Sequence, residues 1–184
     1  HTAYRRQRQM CIRDRVDVSL NVFRWKTASY TTIAPLLFAL LAAGADPAEA
    51  WQQALAVGRP LGLAFQLADD LLDVVGSSRN TGKPVGGDIR EGKRTVLLAD
   101  ALAAAGTQDR QQLIDLFESD ARTDDQVAFV IALFQSTGAV ERSRNRIHAL
   151  WLESRAAIAN LNLEPEAENH LIAACARFVP ENLR

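Results

Sequence analysis

From residue 16 onward, apolar positions recur three and four apart, and no strand-like alternation persists. The pattern predicts an all-α chain with helices over about 17–43 (bent near Pro35), 47–75, 93–105, 109–121, 124–136, 138–160 and 164–179. Asp46-Pro47 reads as a helix start, with the aspartate as N-cap and the proline in the first turn. Gly58-Arg59-Pro60 is expected to bend or break the helix it falls in. Gly106-Thr107 and Thr137-Gly138 punctuate later helices. One long irregular stretch interrupts the series: residues 76–92, GSSRNTGKPVGGDIREG, with five glycines and a proline. Inside a helical body a loop of this length is functional or disordered.

The segment before that loop breaks the usual pattern of a surface helix. In LGLAFQLADDLLDVV (61–75), Gln66, Asp69, Asp70 and Asp73 fall at i, i+3, i+4 and i+7 and form one narrow polar stripe. Leu61, Leu63, Phe65, Leu67, Leu71, Leu72, Val74 and Val75 surround it. A helix this apolar is expected to be buried, with its stripe facing a cleft, since three carboxylates cannot lie unpaired in a core. Their mutual repulsion raises their pKa values, and a divalent cation relieves it. All-oxygen donors suit Mg²⁺ or Mn²⁺ better than Zn²⁺. Asp69 and Asp73 point the same way, whereas Asp70 is rotated by about 100°. Mg²⁺ held by few carboxylates completes its shell with water and phosphate oxygens, which points to a phosphorylated substrate. Lys83, Arg90, Lys93 and Arg94 follow just after the acids. The next helix is expected to open near Lys93 and add partial positive charge. The competing reading is an ordinary helix with a solvated acidic face.

Composition removes other classes. The chain has 184 residues and 20.2 kDa, 48% of them hydrophobic and 23% charged, which excludes collagen-like and disordered classes and fits one domain or a large piece of one. Two cysteines, Cys11 and Cys175, are too few for a disulfide scaffold and lack zinc-ligand spacing, so a reducing, cytoplasmic setting is expected. The longest apolar run, from Ile33 to Ala45, contains Pro35 and is too short to span a bilayer, so no membrane insertion is expected. Residues 1–15 hold five arginines against one acid, Asp14, on a chain of net charge −1. This basic arm has no helical period and no nucleic-acid reader motif, so no nucleic-acid partner is expected. It reads as a non-native extension, and residues 16–184 as the domain proper.

The polar stripe and the loop together carry a family resemblance. FQLADDLLD (65–73) followed by TGKPVGGDIREGKRTVLL (81–98) resembles the second aspartate-rich region of the trans-isoprenyl diphosphate synthases, the polyprenyl synthetase family. Upstream, FRWKTASYTTIAPLLFALLAAGA (23–45) is similar to the family's Lys-Thr helix. The resemblance implies an isoprenoid-synthase-type helical bundle with a deep central cavity. It implies prenyl transfer: Mg²⁺ holds an allylic diphosphate, ionisation leaves an allylic carbocation, and isopentenyl diphosphate attacks it. The product is longer by five carbons, and the phrase GRPLGLAFQLADDLLDVVG (58–76) leans towards short-chain products of farnesyl or geranylgeranyl size. The protein's part would be to stabilise charge on the departing diphosphate and to exclude water. The family also implies a homodimer for the full-length protein.

Carried over by residue, Asp69, Asp70 and Asp73 would be the metal ligands. Gln66 would sit one turn away, near the allylic diphosphate. Lys26 and Thr27 would contact that diphosphate, Lys83 would neutralise it from the loop, and Lys93 from the following helix start. Arg94 is a further candidate for the same site. The family's first aspartate-rich motif and its arginine pair have no counterpart: Asp124-Asp125 lacks the third acid and lies downstream, and Arg5-Arg6 lies in the basic arm. The chain is therefore expected to be the C-terminal portion of a synthase, inactive alone, so that turnover by this chain would overturn the expectation. A non-catalytic partner subunit, a terpene cyclase of the same fold and a helical interaction module are the alternatives. Elsewhere the reading is structural: Cys175 as a core residue, Trp25, Trp51 and Trp151 as packing anchors, and His148 and His170 with no ligand role.

Overall fold

The apolar spacing is realised as helices. The computed structural model describes residues 16–76 and 85–184, and among these there is no strand. Residues 1–15 and Lys83 lie outside the described residues, as does the side chain of Trp25.

Helix α1 (Val16–Phe23) runs into a π-helical stretch (Arg24–Ile33) and then α2 (Ala34–Ala42). The expected bend near Pro35 thus takes the form of a widened helix. Proline has no N–H to return to the preceding turn, and just before it the Ala34 N–H donates five residues back, to the Ser29 carbonyl. Helix α3 (Pro47–Val75) starts as expected: Asp46 Oδ1 accepts the amides of Ala48 at 2.9 Å and Glu49 at 3.1 Å.

Pro60 does not break α3, which is continuous for 29 residues. The carbonyl that loses its amide donor to the proline is that of Ala56, four residues back at an exposed position, where water can serve it. Two neighbouring carbonyls also accept hydroxyls from packed helices. Ser154 Oγ donates to the Val57 carbonyl at 3.1 Å and Thr32 Oγ1 to that of Gly58 at 2.6 Å, both in buried surroundings. Ser154 is fully buried. Ser154→Ala is expected to lower stability by about 1 kcal/mol, the net worth of the buried hydroxyl–carbonyl bond it removes. Denaturant unfolding measures this, and an unchanged midpoint would remove Ser154 from the account.

The remaining elements are α4 (Gly87–Glu91), α5 (Val96–Ala104), α6 (Thr107–Glu118), α7 (Asp124–Ser136), α8 (Ala139–Ala159), α9 (Pro165–Ala176) and a closing 3₁₀ turn (Glu181–Leu183). Two expectations are corrected here. The irregular stretch contains the short helix α4, and the helix expected to open near Lys93 begins at Val96, with Thr95 as N-cap. Gly86 and Gly92 bound α4 with φ of +81° and +70°, a conformation glycine adopts without strain, so five residues can coil and stop inside a loop.

Two compact units divide the chain. Among the described residues, one comprises 16–19, 69–76 and 85–143, and its core includes Leu71, Val74, Ile89, Leu97, Leu113, Val130 and Phe134. In it α7 packs against α4, α5 and α6. The other comprises residues 20–68 and 144–184, with Ala28, Val57, Leu61, Leu67, Ile147, Trp151 and Ile158 in its core. Phe65 and Phe178 meet there edge to face, with ring centroids 5.6 Å apart. Trp151 is the expected anchor, but Trp51 is 46% exposed and anchors nothing comparable. Cys175 is buried, which pushes its thiol up to about 11. His148 and His170 are exposed. Among the described residues no helix is long and apolar enough to cross a membrane.

Candidate active site

The second half of α3 is buried on most sides, as its sequence requires. Leu61, Leu67 and Leu71 are almost wholly covered, whereas Arg59 and Asp69 are exposed and Gln66 and Asp73 half-buried. The polar stripe is therefore narrow, but it is not uniformly sheltered. Asp69 opens to solvent, which corrects the expectation of a wholly inward acidic face, while Asp70 is 6% exposed.

Within the unit of residues 20–68 and 144–184, two glycines set the geometry. Gly58 and Gly62 lie one turn apart on α3, against the π-helical stretch. A Cβ at Gly58 would come within 2.9 Å of Ile33 Cα, and one at Gly62 within 2.6 Å of Ala28 Cα. Gln66 is the next position on that face. The close approach brings Thr27 onto it: Thr27 Oγ1 donates to Gln66 Oε1 at 3.0 Å. Thr27 is buried, and its hydroxyl orients the Gln66 amide. Lys26, its neighbour, is exposed.

Within the other unit, Asp73 organises the loop. Its Oδ1 accepts the Gly87 amide and its Oδ2 the Asp88 amide, both at 3.0 Å, and its own carbonyl accepts the Gly86 amide at 2.8 Å. The N-cap of α4, Gly86, has no side chain to offer, so Asp73 from α3 satisfies the opening amides in its place. A Cβ on Gly87 would sit 3.1 Å from Asp73 Oδ1. Burial lifts the Asp73 carboxyl above its ordinary range, and the nearby Asp88 carboxylate adds to this, while the two amides and Lys93 pull it back.

Lys93 pairs with Asp88 and, at 3.1 Å, with Glu91. These carboxylates hold its ammonium well above the usual lysine range. Its backbone N–H also donates to the Asp88 carbonyl, at 2.9 Å. Arg94 is exposed, and its carbonyl accepts Ser19 Oγ at 3.3 Å.

Among the described residues, no three Asp, Glu, His or Cys side chains converge closely enough to enclose a metal ion. A hard divalent cation that shares its shell with phosphate and water does not need such an enclosure; one or two carboxylates suffice. Asp69 and Asp73, one turn apart, fit that open-sided role. A carboxylate has about four lone-pair sites, and Asp73 gives two of them to the amides that fix its orientation.

A family model described as "Polyprenyl synthetase" matches residues 4–134. The chain belongs to the polyprenyl synthetase family. It is 38% identical over 158 residues to the short chain isoprenyl diphosphate synthase of Methanothermobacter thermautotrophicus, covering 83% of this chain and 47% of that protein. It is 37% identical over 133 residues to the geranylfarnesyl diphosphate synthase of Aeropyrum pernix, covering 71% of this chain and 40% of that one. A solved geranylgeranyl pyrophosphate synthase of Corynebacterium glutamicum, complexed with isoprenyl diphosphate and magnesium, superposes with a TM-score of 0.80 at 35% identity, over 89% of this chain and 46% of that one. The all-α fold is that of the family. The chain spans about half the length of the curated relatives it matches.

Of the residues singled out from the sequence, the structure joins Thr27 to Gln66 in one unit. In the other it joins Asp73 to the loop carrying Asp88 and Lys93. Sequence reasoning missed the partners on the far side of that loop, above all Arg122. Asp124, dismissed as a stand-in for an absent motif, pairs with Arg90 at 2.7 Å. Contacts across about thirty residues have no sequence period, and no signal on one helix face could have revealed them.

Proposed function

We propose that the protein this polyprenyl synthetase chain represents transfers prenyl groups, condensing isopentenyl diphosphate with an allylic diphosphate. This chain would supply the acidic metal-binding helix and its loop. The observation that carries the reading is the Asp73 carboxylate, held by two backbone amides of the loop in a chain that matches the family model over residues 4–134.

In this proposal Asp69 and Asp73, with Asp70 beside them, hold Mg²⁺ (or Mn²⁺). When bound, the cation would supply charge stabilisation to the departing diphosphate. Gln66, set by Thr27, would present its amide N–H groups toward diphosphate oxygens. Lys26, Lys83, Lys93 and Arg94 would contribute positive charge, the roles the family resemblance gives them. Lys93 would do so only when a more highly charged anion competes with Asp88 and Glu91 for its ammonium. A short-chain product agrees with the first of the relatives named above, whereas other relatives carry names that include solanesyl-diphosphate synthase.

Thermal melting of the full chain tests the reading. A ligand that binds only the folded form stabilises it, by about 2.7 kcal/mol at a hundred times its Kd. The melting temperature is expected to rise with Mg²⁺ and inorganic diphosphate together, more than with either alone, and further when geranyl diphosphate replaces diphosphate. No joint effect of metal and diphosphate would overturn the proposal.

A further inference from the structure

The loop that Asp73 holds from one side is held from the other by two arginines. Arg90, within α4, donates from Nη1 to the Val85 carbonyl and from Nη2 to Asp124 Oδ1, both at 2.7 Å. Arg122, on the connection between α6 and α7, donates to three main-chain carbonyls: Nε to Leu116 at 3.0 Å, Nη2 to Ser119 at 2.9 Å and Nη1 to Arg90 at 3.2 Å. Its guanidinium also lies over the Phe117 ring, 5.3 Å from the centroid. The fit against the loop is close, since a Cβ on Gly92 would come within 2.7 Å of Arg122 Nη2. Immediately after Arg122, Thr123 forms a reciprocal capping box with Gln126, which anchors this stretch of chain to the start of α7.

We infer that Arg122 is a positioning residue for the acidic site: by tying the Arg90 carbonyl to the α6 terminus, it holds α4 so that the Gly87 and Asp88 amides stay on the Asp73 carboxylate. The inference rests on the proposed function in one respect, that Asp73 serves a metal–diphosphate. Its structural part stands apart from that reading. Arg122 acts through geometry. A planar guanidinium can reach three carbonyls in three directions at once, and a lysine ammonium on a flexible stem cannot reproduce that fork. A general effect of positive charge on a bound anion would instead be preserved by lysine.

The test uses the full chain with Arg122→Lys and Arg122→Ala. Hydrogen exchange at the Gly87 and Asp88 amides is expected to accelerate about tenfold or more in both variants, while the amides of Ala101 and Leu102 in α5 exchange as in the wild type. Affinity for Mg²⁺ with inorganic diphosphate, measured by titration calorimetry, is expected to fall about tenfold in both. Unchanged exchange at Gly87 and Asp88, equal acceleration at the α5 amides, or full rescue of affinity by lysine would each overturn the inference. If the wild type binds no metal–diphosphate, the proposed function falls, and the exchange result alone decides whether Arg122 positions the loop.

Discussion

Asp73→Ala is expected to weaken Mg²⁺-dependent diphosphate binding by about a hundredfold or more and to loosen the loop that follows α3. The carboxylate does two things at once. It offers oxygen to a cation, and it accepts the Gly87 and Asp88 amides at 3.0 Å. Alanine removes both functions. A buried amide without an acceptor costs about 1–3 kcal/mol, with the lower figure apt here because the site is only half-buried. Asp73→Asn separates the two effects. It keeps one oxygen acceptor but no charge, so its melting temperature should lie between those of the wild type and Asp73→Ala, while its metal binding should match the alanine variant. Calorimetric titration with melting curves checks both, and wild-type affinity in Asp73→Ala would remove Asp73 from the metal site.

Acidity should act on Asp73 with opposite signs for binding and for folding. Burial raises its pKa above the ordinary 3.8, so the folded chain holds this proton more tightly than the unfolded one. The contribution of Asp73 to stability therefore grows as pH falls through the raised pKa and shrinks as pH rises through it. Metal binding goes the other way, because the proton and the cation compete for the same oxygens.

Gly62→Ala should lower the stability of the folded chain, although alanine is the better helix former by about 1 kcal/mol. The added methyl would lie 2.5 Å from Ala28 Cβ, 2.6 Å from Ala28 Cα and 2.9 Å from Thr32 Oγ1. Two of those atoms belong to the backbone or are fixed to it, so α3 and the π-helical stretch must move apart. Overpacking of this kind costs about 1–3 kcal/mol, and Gly62→Val should cost more. For a chain of this size each kcal/mol lowers Tm by about 2–4 °C. The separation should also lengthen the Thr27–Gln66 hydrogen bond, so diphosphate affinity should fall together with Tm. A Gly62→Ala protein as stable as the wild type would show that the two helices are not in contact there.

How far the sequence reaches can be judged from particular residues. The 3.6-residue period was enough for the helices, because burial of an amphipathic face is a local property of the chain. The Asp46 cap, the buried LGLAFQLADDLLDVV segment and the narrowness of its polar stripe were legible for the same reason. That α3 runs unbroken through Pro60 is not legible locally, because the residues packed against it there, Ser154 and Thr32 among them, come from elsewhere in the chain. The helix start near Lys93 was misplaced because two left-handed glycines allow α4 to form and stop within the loop.

Family and fold class were therefore decided by the sequence itself: spacing and residue type within one segment carry them. Tertiary structure alone decided how the acidic residues are used. It opened Asp69 to solvent, buried Asp70 and turned Asp73 onto the Gly87 and Asp88 amides. It also set Thr27 on Gln66 and strapped the loop with Arg122. Those outcomes depend on which distant backbone groups need a partner, and a one-dimensional pattern holds no record of that need.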